Sequence, residues 1–155
     1  MKTLILYYSR TGTTRKLAEY LAGKLGADLE KVKDTVDRSG AMGYLSAGKD
    51  ATLRKLTKIE PIHATISNYD LVILATPIWS WNLSVPIRTL AEEYKTEFKN
   101  IALVCTMGGS GDLRAKKDLE VIINKKIELQ LALTTKEVVM GTFESKANDF
   151  IHLIG

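Results

Sequence analysis

The chain has 155 residues, of which 45% are hydrophobic and 26% charged, and it contains only three prolines. This composition excludes a disordered chain and a fibrous repeat, and the length predicts one domain over residues 1–155. The formal net charge is +4, yet no block of like charges marks a nucleic-acid tail. No apolar stretch approaches the roughly 18 residues of a membrane span. We therefore expect a soluble, cytoplasmic protein that neither binds nucleic acid nor spans a membrane.

The first predicted elements are a strand and a helix. An apolar run over residues 4–8 predicts a strand that is buried on both faces of a sheet. Apolar residues at helical spacing over residues 14–25, with Gly26 just beyond as a C-cap, predict the first helix. The more polar residues 28–33 predict a weaker strand at a sheet edge. Residues 37–65, interrupted by glycines, predict a loop followed by one helix.

The loop between the first strand and the first helix is a candidate phosphate site. Its sequence is Ser9-Arg10-Thr11-Gly12-Thr13-Thr14. Free backbone N–H groups and the helix dipole favour an anion at a helix N-terminus, hydroxyls can donate to phosphate oxygens, and Gly12 lets the backbone wrap closely. Neither a Walker loop nor a dinucleotide fingerprint is present, so the loop suits one monophosphate. The alternative is an ordinary helix-capping loop.

A second strand, loop and helix follow. Residues 71–75 predict a buried strand, and residues 84–98 predict a helix with Ser84 as its N-cap. Both tryptophans lie in the loop between these elements, Thr76-Pro77-Ile78-Trp79-Ser80-Trp81-Asn82. An indole can stack on a flat ring, and loop backbone can hydrogen-bond the polar edge of that ring. The alternative is that one of the two indoles seals the core.

The last part of the chain predicts another loop of the same kind. Residues 101–105 predict a buried strand. Cys105 in this strand is the only cysteine, so an intrachain disulfide is excluded, and we expect its buried thiol to be inert. The loop that follows is Thr106-Met107-Gly108-Gly109-Ser110-Gly111, and its glycines permit close backbone approach to a ligand, although a plain flexible turn has the same composition. The remaining predicted elements are a helix over 112–131, a strand over 138–140 and a helix over 144–153.

Strands that alternate with helices predict the α/β class and a parallel sheet covered on both faces. Such a sheet binds ligands beyond the carboxyl ends of its strands. The three loops would meet there, and a crevice between three loops is what a mononucleotide requires. His63 and His152 lie far apart without neighbouring ligands, so we expect no metal site.

The first loop carries a resemblance to a known family. Ile5-Leu6-Tyr7-Tyr8-Ser9-Arg10-Thr11-Gly12-Thr13-Thr14 resembles the flavodoxin signature at the start of a chain, and residues 76–79 resemble the flavin-contacting loop of that family. The resemblance spans nearly the whole chain. It implies a flavodoxin-like doubly wound sheet of five parallel strands in the order 2-1-3-4-5, with FMN as the cofactor. It also implies that the FMN phosphate is held by Ser9, Thr11, Gly12, Thr13 and Thr14, with Arg10 partly neutralising it.

Two departures from the family leave the activity open. Electron-carrier flavodoxins are strongly acidic, whereas this chain is basic, and they commonly stack a tyrosine from the third loop on the flavin, whereas residues 106–112 contain no aromatic residue. We expect an FMN-binding redox protein that transfers electrons through its flavin. The alternative is an FMN-dependent NAD(P)H:quinone or flavin reductase, and a flavin-free phosphate-binding module is a third. The expected partner is a redox protein or a small-molecule electron donor or acceptor, and the expected state is a monomer or weak homodimer.

Overall fold

One sheet runs through the centre of the molecule. The computed structural model describes residues 1–155, and its strands are β1 (Thr3–Tyr7), β2 (Asp28–Lys31), β3 (Leu71–Trp79), β4 (Asn82–Leu83), β5 (Ile101–Met107) and β6 (Leu129–Thr134). Five of them are parallel, in the order β2-β1-β3-β5-β6, and the short β4 pairs antiparallel with the end of β3. The predicted flavodoxin-like order of five parallel strands is therefore confirmed.

Six helices cover both faces of this sheet, as predicted for the α/β class. They are α1 (Thr13–Leu25), α2 (Gly40–Thr52), α3 (Val85–Tyr94), α4 (Asp112–Ile123), α5 (Thr135–Met140) and α6 (Glu144–Ile154). Side chains of α2, α3 and α4 belong to the core on one face, and those of α1, α5 and α6 to the core on the other. The interior strand β1 is consequently buried along its whole length, whereas β2 at the edge is mostly exposed. None of the helices combines the length and apolar character needed to cross a membrane.

The prediction for the end of the chain was wrong in two elements. The helix predicted over 112–131 ends at Ile123, because Asn124 takes a left-handed conformation with a φ of 51° and caps it. Leu129–Thr134 then forms the last parallel strand beside β5. The strand predicted over 138–140 is instead part of α5, a helix started by a capping box in which the Thr134 hydroxyl accepts from the Glu137 N–H.

The helix predicted in the second half of residues 37–65 lies earlier than expected. It is α2, and residues 53–65 after it contain no helix; Ile59 forms a bridge to Asp34 there. Of the glycines that argued against a helix, Gly43 has a structural reason for its place, because the helix approaches the Arg38 backbone closely there. A Cβ on Gly43 would lie 2.1 Å from the Arg38 carbonyl carbon, so no side chain fits at that position.

The loops after β1, β3 and β5 all leave the sheet at its carboxyl edge. The order of the strands reverses between β1 and β3, because the chain moves outward from β1 to β2 and then returns to the other side of β1. A doubly wound sheet opens a crevice at such a point.

Candidate functional site

The loop from β1 to α1 leaves the first turn of the helix open to a ligand. Gly12 has a φ of 98°, and its N–H donates to the Ser9 hydroxyl at 3.0 Å, which folds the loop back on itself. No side chain caps α1, and its first turn contains no acidic residue. The first N–H groups of a helix have no partner within the helix, and Thr11 and Gly12 are exposed beside them. This end of α1 can therefore accept an anion.

Thr14 has a different environment from the rest of that loop. It is 2% exposed, and its hydroxyl lies 2.7 Å from the hydroxyl of Thr106 at the end of β5. Because Thr106 is buried as well, this pair fixes the start of α1 against the sheet. Thr14 and Thr106 are both predicted site residues, and neither presents its side chain to solvent.

The loop after β3 is a tight hairpin rather than an irregular loop. Ile78 pairs with Leu83 and Trp79 with Asn82, so only Ser80 and Trp81 form the turn. Both turn residues have a positive φ, 49° for Ser80 and 62° for Trp81. Two-residue hairpins favour that conformation, but it is strained for a residue as large as tryptophan.

Three side-chain hydrogen bonds hold this hairpin in place. The Ser80 hydroxyl donates to the Gly48 carbonyl at 3.1 Å, the Trp81 indole N–H donates to the Ser110 hydroxyl at 3.1 Å, and the Asn82 amide donates to the Ala51 carbonyl at 3.1 Å. Two of these bonds connect the hairpin to α2, and one connects it to the loop after β5. Backbone strain persists when the surroundings over-determine it in this way.

The two tryptophans have opposite environments. Trp79 is only 9% exposed, and its ring meets the Tyr8 ring edge to face at 5.4 Å between centroids. Trp81 is 59% exposed. Trp79 therefore seals the core, while Trp81 is the indole with a free surface. Thr76 is also inaccessible, since its hydroxyl is buried against that of Ser84 at 2.8 Å.

The loop after β5 packs directly on the hairpin. Gly111 has a φ of 109°, and a Cβ at this position would lie 2.8 Å from the Trp81 Cα and from the Ile78 side chain. The preceding residues Gly108, Gly109 and Ser110 are exposed. The structure thus brings the three predicted loops to one edge of the sheet, and glycine at 111 is required by the close approach of two of them.

A buried charged group lies behind the site, in the glycine-interrupted segment that the sequence pattern favours as a surface connection. Arg38 is 3% exposed; its guanidinium donates to Asp34 at 2.7 Å and to Asp50 at 2.9 Å and lies 5.7 Å from the centre of the Trp79 ring. Its carbonyl accepts from the Arg10 guanidinium at 3.5 Å. Arg38 therefore joins the first loop, α2 and the hairpin. No local pattern predicts this arrangement, because Asp50 is 12 residues away in the chain and Trp79 lies in another element.

Burial also sets the chemistry of Tyr8, the last residue before the first loop. Its ring is 6% exposed. Burial raises the pKa of Tyr8 to about 12, and the Asp34 carboxylate adds to the rise. The phenol is therefore neutral at physiological pH and acts in packing rather than as an acid or base.

A doubly wound α/β sheet with an open helix N-terminus at its switch point is typical of nucleotide-binding proteins. A family model described as Flavodoxin matches residues 2–136. The chain belongs to the flavodoxin family, as its first loop had suggested. No curated protein matches the sequence.

Solved structures show the same fold. A flavoprotein from Lactobacillus acidophilus, crystallised in complex with FMN, is 26% identical, with a TM-score of 0.73 over 91% of this chain and 98% of that chain. A protein from Bacteroides eggerthii is 23% identical, with a TM-score of 0.76 over 94% and 98% of the two chains. A WrbA-like flavodoxin from Agrobacterium tumefaciens is 14% identical, with a TM-score of 0.61 over 97% and 93%.

Proposed function

We propose that this chain binds one FMN and transfers electrons through it. The observation that carries the proposal is the open N-terminus of α1, which has no capping side chain and no acidic residue in its first turn. It lies at the carboxyl edge of the sheet, the same edge at which the hairpin carries the exposed Trp81 indole. The related flavoprotein from Lactobacillus acidophilus was crystallised with FMN, which supports the same cofactor here.

The residues at this edge fit an FMN phosphate. Ser9, Thr11 and Thr13 would hold it through backbone N–H groups and hydroxyls, Gly12 would let the loop turn closely around it, and the Thr14 N–H belongs to the same helix turn. Arg10 adds positive charge, since its guanidinium has no carboxylate partner and contacts the Arg38 carbonyl and the Tyr44 ring. No carboxylate of the first loop opposes an anion.

The hairpin and the third loop fit a flat ring system. Pro77, Ile78, Ser80 and Trp81 supply partly exposed apolar and polar surface, and the loop of Met107, Gly108, Gly109 and Ser110 lets backbone approach closely. Thr76, Trp79, Asn82 and Thr106 support these loops from the core. The flavin supplies the redox chemistry when it is bound, and the protein supplies position and electrostatics.

A second candidate is an FMN-dependent NAD(P)H:quinone or flavin reductase. It is favoured by the third loop, in which Gly108, Gly109 and Ser110 are exposed and no side chain is aromatic. A cofactor ring bordered by this loop would have one face available to a small-molecule donor or acceptor. The formal charge of +4 points the same way, because it does not match the acidic surface of the electron carriers.

Visible spectroscopy and a turnover assay test this proposal together. We expect FMN added to the purified protein to be retained on gel filtration with a perturbed flavin spectrum. Steady-state oxidation of NADPH with a quinone, compared with free FMN at the same concentration, separates the two activities. Turnover above that of free FMN supports the reductase and argues against a carrier that needs a redox protein as its partner. A protein that takes up no FMN contradicts both.

A further inference from the structure

Helices α3 and α4 are joined by an ion pair that is almost completely buried. The Arg88 guanidinium donates to the Asp118 carboxylate at 2.7 Å, and the two side chains are 8% and 17% exposed. Each helix directly follows one of the loops proposed to hold the flavin ring, since α3 follows the hairpin and α4 follows the loop after β5. The ion pair therefore connects the two elements that stand behind those loops.

A third helix reaches the same carboxylate. Arg54, just after the end of α2, places a guanidinium nitrogen 3.6 Å from Asp118. Its backbone is left-handed, with a φ of 51°, a conformation that is uncommon for a residue other than glycine. Two guanidinium groups thus share one carboxylate, and the three helices whose side chains pack on this face of the sheet meet at Asp118.

Stability alone does not account for the buried pair. The Arg88 Nε is buried without a hydrogen-bond partner, and an unpaired buried donor costs free energy. Apolar residues of similar volume often replace a buried ion pair without loss of stability, and α3 and α4 already contribute Leu90 and Leu119 to the same core. What the charged pair adds is a directional contact, which holds the two helices in one relative position.

The same two helices carry the contact between the loops. Arg88 lies in the first turn of α3, and Asp118 lies in the helix that begins after Gly111. A Cβ on Gly111 would lie 2.8 Å from the Trp81 Cα, and the Trp81 indole donates to the Ser110 hydroxyl at 3.1 Å. Because packing this close leaves no slack, a shift of α4 against α3 would move the third loop against the hairpin.

We propose that Arg88 and Asp118 are positioning residues, which set the spacing between the hairpin and the loop after β5 and with it the affinity of the crevice for the flavin ring. The part about the ring rests on the proposed function, whereas the spacing of the loops is a property of the protein without cofactor. The phosphate site is not involved, since α1 packs on the other face of the sheet.

The double variant Arg88→Met with Asp118→Leu tests the spacing in the FMN-free protein. It removes both charges of the pair and keeps the core filled, so its melting temperature should be equal to or higher than that of the wild type. We expect ¹H–¹⁵N spectra to show shifts of the Trp81 indole and the Gly111 amide. The indole of Trp79, which packs against Tyr8, is the internal reference and should keep its position.

Flavin affinity of the same variant tests the part about the ring. We expect FMN and riboflavin each to bind about tenfold more weakly than they bind the wild-type protein, with the ratio of the two affinities unchanged. The ratio reports on the phosphate contacts, which the substitutions do not touch. A variant that loses affinity for FMN but not for riboflavin would contradict the assigned role.

A matched control is Glu92→Leu with Lys95→Met. This pair also belongs to the end of α3, with its two nitrogen and oxygen atoms 3.5 Å apart, but its side chains are 37% and 49% exposed. The control should leave the Trp81 and Gly111 signals and both flavin affinities unchanged. Equal effects of the two double variants would overturn the proposal. A lower melting temperature with unchanged Trp81 and Gly111 signals would also overturn it, because the pair would then be purely structural.

Arg88→Lys provides a second test if the double variant does not fold. Lysine keeps a cation beside Asp118 but lacks the planar fork of arginine, so we expect shifts of the same two signals, and their absence would overturn the proposal. If the wild-type protein takes up neither flavin, the proposed function fails. The Trp81 and Gly111 signals of the FMN-free protein still decide whether the ion pair positions the loops.

Discussion

Arg38 shows how much of the site depends on a single residue that has no local sequence signal. Its side chain and that of Asp34 are each 2% exposed, so both charges are removed from water. A buried ion pair adds little net stability compared with apolar residues, but removing one partner leaves the other charge buried and unpaired. The contacts of Arg38 with Arg10, Asp50 and the Trp79 ring make it the junction between the first loop, α2 and the hairpin.

Arg38→Met is predicted to lower the free energy of unfolding by about 3–5 kcal/mol, because it leaves the Asp34 carboxylate buried without a cation. Urea denaturation followed by tryptophan fluorescence measures this. Arg15→Met is the control, since the Arg15–Glu19 pair is exposed on α1 and should contribute less than about 1 kcal/mol. Equal effects of the two substitutions would contradict the structural role of Arg38.

Cys105 is predicted to be inert in the folded protein. The thiol is fully buried, and burial raises the pKa of Cys105 to about 12, so the reactive thiolate is absent at neutral pH. A disulfide reagent at pH 8 should modify it only after urea unfolds the chain. Because the Cys105 pKa is raised only in the folded state, the unfolded chain loses the thiol proton at a lower pH. The free energy of unfolding that this thiol contributes therefore falls as the pH rises above about 8.5. Rapid modification of the native protein would contradict the assigned burial.

At the scale of the elements, the sequence predicts what depends on local pattern. The predicted strands that became β1, β3 and β5 are continuous apolar runs between turn residues. The apolar residues of α1 have regular helical spacing, and Gly26 is its C-cap. These predictions hold because central strands and an amphipathic helix leave a periodic signal. The edge strand β2 was also predicted, from its polar composition.

Three elements were predicted wrongly at this scale, and a specific contact explains two of them. The glycines of α2 suggest a loop, but Gly43 is inside a helix because the Arg38 backbone occupies the space of its side chain. Val138 and its neighbours suggest a strand, but the hydrogen bonds of Thr134 with Glu137 start a helix there. In both places a specific contact outweighs the pattern of apolar residues.

Thr134→Ala is predicted to destabilise the protein by about 1 kcal/mol, because the Glu137 N–H loses its cap acceptor and the junction from β6 to α5 loosens. Thermal denaturation measures the change. Thr134→Ser keeps a hydroxyl at the cap and should be nearly neutral. A serine variant as unstable as the alanine variant would show that the methyl group, rather than the cap, matters.

At the scale of the whole molecule, the sequence predicts where the candidate site lies but not which of its side chains are accessible. The three loops were expected to meet because carboxyl ends of parallel strands share one edge of a sheet. The burial of Thr14 depends on Thr106, a partner 92 residues away in the chain. The difference in exposure between Trp79 and Trp81 depends on the hairpin, in whose turn Ser80 and Trp81 both have a positive φ. Neither contact leaves a pattern that is local in sequence.

The proposed function requires that the phosphate of a bound FMN lies at the N-terminus of α1. The most direct measurement is the affinity of the FMN-free protein for FMN and for riboflavin, which lacks the phosphate, by quenching of flavin fluorescence. We predict one-to-one binding of FMN that is at least about a hundredfold tighter than that of riboflavin, since a phosphate at this site gains several charge-assisted hydrogen bonds. Equal affinities, or no uptake of either flavin, would contradict the account.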